Sequence, residues 1–98
     1  MELIIEQVLQ QGVTAHGEGK HKDAKRLYQT ILKSHPTRPD ANRNLGLIVF
    51  SDNKAGAALP LFKTAVETNP KVEEFWLSYI NALIVKPLAL KLNVLTLG

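Results

Sequence analysis

Cysteine is absent from the 98 residues, which excludes disulfides, a thiolate nucleophile and any cysteine-held metal. Aromatic side chains are scarce, at 6%, so few large rings are available to organise a core. No apolar run approaches the roughly twenty residues needed to span a bilayer. Neither sign of charge dominates: 12 Lys and Arg against 9 Asp and Glu leave +3, too mild for nucleic acid without a concentrated patch. The opening MELIIEQVLQ places Glu2 and Glu6 where a secretory signal would be basic. These absences lead to the expectation of one small water-soluble domain inside the cell, cytoplasmic, with neither a membrane nor a nucleic acid as partner. The densest basic spot, Lys20, Lys22, Lys25 and Arg26, is broken by Asp23 and carries no interleaved aromatics, so it reads as a solvated helix face.

Catalytic chemistry finds little to work with. His16, His21 and His35 are the only imidazoles, and their spacings put no two on one helical face as a metalloprotease pair requires. Glu73 and Glu74 are adjacent and point apart, and no serine follows a strand as a nucleophile elbow. The stretch HGEGKHK (16–22) has two glycines and a lysine, but its glycines are two apart, no strand precedes it and His21 stands where a metal-binding hydroxyl belongs. It reads as a corner between helices, with glycines able to take positive φ. The expectation is therefore no enzyme, no cofactor and no metal.

What is present is a register. Pro36 and Pro70 are separated by the same interval as Gly12 and Gly46, Ala24 and Ala58, and Tyr28 and Phe62. Ala24, Leu27, Tyr28, Ile31 and Leu32 fall on one helical face, and Ala58, Leu61, Phe62, Ala65 and Val66 repeat it. Leading helices carry Ile4, Val8, Gly12 and Ala15, then Ala41, Leu45, Ile48 and Val49. HGEG and SDN separate leading from trailing helices, while HPTRP and NP end the trailing ones. Pro60 falls inside the second trailing helix, where a kink is expected.

This pattern resembles the tetratricopeptide repeat, a helix–turn–helix unit of about 34 residues with the signature W-x2-L-G-x2-Y, A-x3-F and P. Leu45, Gly46, Ala58, Phe62 and Pro70 match it, with Asn42 and Val49 at the Trp and Tyr places. The first copy keeps Gly12, Ala24, Tyr28 and Pro36, and a third begins near Val72 with Trp76 in the Trp place. The resemblance implies an all-α, right-handed α-solenoid of about two and a half repeats: residues 5–38, 39–72, a leading helix at 73–85, and an atypical apolar segment at 86–98. In it, small residues admit close helix approach, and Tyr28, Phe62 and Trp76 fill the gaps.

Residues 85–98 suit either a helix starting at Pro87, the favoured reading, or a strand, since Leu88, Leu90, Leu92 and Val94 alternate. Leu88, Leu90, Leu92 and Leu95 form the candidate self-association surface of a homodimer. The resemblance further implies a non-catalytic scaffold that binds a peptide or protein segment in a concave groove. Mapped onto this chain, the groove comprises Gln10, Val13, Asp40, Arg43, Asn44, Leu47, Ser51, Leu77 and Asn81, with the two asparagine amides able to pair with a peptide backbone. A carboxylate clamp of the chaperone-binding kind is not expected, because Leu9, Val13, Glu74 and Ser78 occupy clamp positions that Asn44 alone matches. Two alternatives stand beside this: a self-assembling structural domain, and an N-terminal fragment of a larger, transferase-type enzyme.

Overall fold

The computed structural model describes the backbone of residues 2–97 and the side chains of residues 4–85. The chain is all-helical, with no strand among the described residues: α1 (Glu2–Gly17), α2 (His21–Ser34), α3 (Pro39–Ser51), α4 (Ala55–Thr68) and α5 (Glu73–Leu97). Each helix packs on the next in sequence, and α3 also touches α5.

The corners follow from backbone chemistry. After α1, Gly19 takes φ 78°, its N–H donates to His16 O, and Lys20 N–H donates to Ala15 O at 2.8 Å. That pair of bonds is the Schellman closure, which satisfies carbonyls a helix end leaves open. Asn53 repeats it after α3 with φ 63°, bonding to Phe50 O while Lys54 bonds to Val49 O. Asparagine tolerates this left-handed conformation better than other residues with a Cβ. HGEGKHK is thus a helix corner in which Gly19, not the helical Gly17, takes the positive φ. Pro39 opens α3 in the first turn, where its missing N–H breaks no helical bond. Helix α4 runs unbroken through Pro60.

The tightest packing occurs twice, in the same register. A Cβ on Gly12 would lie 2.6 Å from Cε1 of Tyr28, and one on Gly46 would lie 2.5 Å from Cε1 of Phe62. Only glycine lets each ring approach the neighbouring helix this closely. Both rings are fully buried, Tyr28 with Ile31, Ala41 and Ile48, and Phe62 with Ala58 and Ala82. A third cluster of Ala65, Val66 and Phe75 anchors the start of α5.

The third aromatic departs from its expected place. Trp76 is 41% exposed, and Phe75 beside it is the buried ring. The reason lies in α5 itself, which continues as one helix to Leu97 rather than breaking before Pro87. A strand at 88–94 is therefore excluded, and no second helix turns back to cover Trp76 among the described residues. The side chains of Leu88, Leu90, Leu92 and Leu95 lie outside the described residues.

Candidate functional site

Helices α1, α3 and α5 bring part of the expected groove together. Val13, Arg43, Asn44 and Leu47 line an open depression of about 360 Å³, joined by His16, Gly17 and Tyr28. Leu47 also belongs to a neighbouring hollow of about 60 Å³, with Phe50, Phe62, Ser78 and Asn81. One leucine thus belongs to two recesses lined from all five helices. The smaller recess cannot enclose an ordinary small-molecule ligand, which needs about 300 Å³ or more, and the larger one is open.

Polar groups fix the walls. Arg43 Nε donates to Ser78 Oγ at 3.3 Å, tying α3 to α5, and Ser78 Oγ donates to Glu74 O at 3.0 Å. Arg43 has no carboxylate partner among the described residues. Burial raises the Tyr28 phenol above its ordinary 10.0, a hydrogen bond with the Asn44 side chain opposes this, and the negative charge of Asp40 adds to the rise.

Four of the expected groove residues go elsewhere. Gln10 lines a separate polar depression of about 760 Å³ between α1 and α2, beside Lys20, Asp23 and Arg26. Asp40 accepts from Arg38 Nε at 2.9 Å, and Glu6 accepts from Arg38 Nη2, so the α2–α3 connection is tied back to α1. Hydrogen bonds to Asp40 and then Glu6 hold the Arg38 guanidinium more firmly protonated than usual. Ser51 spends its hydroxyl on Ile48 O at 2.7 Å, an ordinary bond within the last turn of α3. Leu77 stands exposed on α5 and lines neither recess.

Sequence reasoning misses His16, Tyr28, Phe50 and Phe62 as lining residues. Spacing assigns Tyr28 and Phe62 to the core, and each, though buried, lies directly beneath a recess because glycine holds its ring close to the helix in front. Two of the histidines also meet: His16 and His21, on either side of the first corner, pack edge to face with ring centroids 5.2 Å apart. No cluster of three or more His, Cys, Asp or Glu able to hold a metal ion occurs among the described residues, and none of their helices is long and apolar enough to cross a membrane.

Asn42 and Trp76, at equivalent places one repeat interval apart, reveal a shared device. Asn42 Nδ2 donates to Pro36 O at 3.1 Å, and Trp76 Nε1 donates to Pro70 O at 2.7 Å. Two chemically unlike side chains thus fasten the start of a leading helix to the carbonyl of the preceding proline. No family model and no curated protein matches the sequence.

Proposed function

We propose that this chain is a tetratricopeptide-like interaction module, a right-handed solenoid of about two and a half repeats, that holds an extended peptide segment along α1, α3 and α5 without catalysis. The recurrence of the glycine–ring contact, the Schellman corner and the proline-carbonyl bond at one fixed interval supports the repeat reading. The observation that carries the binding reading is Leu47, shared by two adjoining recesses whose rims hold Arg43, Asn44 and Asn81. An extended peptide offers alternating C=O and N–H groups, and each asparagine amide can answer both. Val13, Leu47 and Phe50 supply apolar surface for its side chains, while Arg43 favours a peptide carbonyl or acidic side chain.

Peptide phage display on the immobilised chain, followed by titration calorimetry of a selected peptide, tests this. The Asn44→Ala, Asn81→Ala double variant is expected to bind at least about tenfold more weakly, the loss of one or two hydrogen bonds, and to keep its helical circular dichroism at a somewhat lower thermal midpoint, because Asn44 also hydrogen-bonds the buried Tyr28 phenol. Equal affinity for both proteins, or selection of no peptide, would count against the groove.

A further inference from the structure

Helix α5 presents an uncovered apolar face whose register identifies what is missing from it. Trp76, Leu77, Ile80, Leu83 and Ile84 are all exposed, Ile80 at 45%, and lie on one side of the helix, away from the buried Phe75, Ser78 and Ala82. One and two repeat intervals back, Ile80 corresponds to Gly46 and Gly12, where α4 and α2 lay their rings. Position 80, which Trp76 and Leu83 flank on the same face, is thus one that a following helix covers on α1 and α3. On α5 no following helix does so among the described residues, because its backbone runs on to Leu97. Ile80 in place of glycine also means that the covering helix has to stand further off than α2 or α4 does.

The sequence of α5 says what kind of helix fits. Trp76, Ile80, Leu83, Pro87, Leu90, Val94 and Leu97 follow alternating spacings of four and three, the seam of a paired helix. No charged residue interrupts Phe75 to Val85, so two copies of this face meet without opposing like charges. Glu73 and Lys91 are a whole number of helical turns apart, and their positions therefore share one angle around the helix. A parallel pair would set Lys91 against Lys91. An antiparallel pair crossing at the level of Ala82, one residue before Leu83, sets Lys91 of one copy level with Glu73 of the other.

The geometry points to a second copy of this chain as the occupant: α5 pairs with α5 of another molecule, antiparallel about a two-fold axis near Leu83. At roughly 60–120 Å² for a whole large apolar side chain, the five half-exposed residues supply about 150–300 Å² per copy. A stable interface takes about 800 Å² from each side, so the contact has to extend past Val85, as an overlap reaching Lys91 does. This pairing does not rest on the peptide groove, since none of the five exposed residues lines either recess.

Light scattering on the full chain at tens of micromolar, with engineered cysteines in this cysteine-free background, tests the pairing. Twice the sequence mass is expected for the unmodified chain. The Ile80→Glu, Leu83→Glu variant is expected at the sequence mass with unchanged helical circular dichroism. On oxidation, Leu83→Cys is expected to form a covalent dimer, while Trp76→Cys, far from the axis, and Gln29→Cys on α2 are not. A monomeric unmodified chain, which would leave the face to a helix from another source, overturns the proposal. So does a dimer that survives the double substitution, or cross-linking of Trp76→Cys as complete as that of Leu83→Cys.

Discussion

Helices α3 and α5 occupy the same place in the repeat register, yet α3 packs against α2, α4 and α5, and α5 against α3 and α4. At equivalent positions, Asn42 is 4% exposed and Trp76 41%. A polar amide is buried where a large indole is not. Hydrophobicity therefore does not decide burial at this place in the register. The amide tolerates its burial because Nδ2 donates both to Pro36 O and to Arg38 O, the latter at 2.9 Å, so no lone donor is stranded. Gly46 and Ile80 show the same contrast. The glycine lies beneath the Phe62 ring, and the isoleucine is left half-exposed.

The largest effect that would sharpen this contrast comes from the rings. Phe62→Ala is expected to cost about 3–5 kcal/mol, because it empties a fully buried site between α3, α4 and α5. Trp76→Ala, in dilute solution, is expected to cost less than about 2 kcal/mol. Urea unfolding measures both, and equal losses would break the comparison. Next come the two bonds to proline carbonyls. Asn42→Ala removes a buried donor from two acceptors and is expected to cost roughly 1–3 kcal/mol, whereas Trp76→Phe gives up one exposed bond and is expected to cost under about 1 kcal/mol. Thermal midpoints ranked the other way would show that the indole fastens α5 more strongly than the amide fastens α3.

The smallest contrast is between the two rings over glycine. Tyr28 has a phenol raised above 10.0 chiefly by burial, and Phe62 has nothing to ionise. A group whose folded value lies above its unfolded one contributes stability that is complete below about pH 10 and is lost as pH climbs through the folded value. Unfolding free energy measured from about pH 8 to 11 is expected to fall less steeply in Tyr28→Phe than in the unmodified chain. Parallel slopes would place the phenol in contact with water.

Much of the helical architecture was legible because glycines, alanines and rings recur at a fixed interval, and periodicity reports local geometry directly. Tyr28 and Phe62 are buried for the reason their spacing implies. Trp76 misleads because a residue's place in a repeat says nothing about whether the next helix arrives. The end of α5 escapes sequence reading because Pro87 is compatible with both starting a helix and lying within one. Groove residues are harder. Asp40 and Ser51 carry suitable polar groups but spend them on Arg38 and on a backbone carbonyl, partners that spacing along one helix does not disclose. Val13, Arg43, Asn44, Leu47 and Asn81 meet because three separate helices are brought together, and Leu47 is where their two recesses join.

The self-closed corners at Gly19 and Asn53 bear on how the chain reaches this arrangement. Each hairpin ties its own turn with backbone bonds and finds its ring a short way along the same stretch, so little loop entropy is spent before contacts form. Either hairpin can serve as the first to condense, and rapid folding from two independent starting points follows.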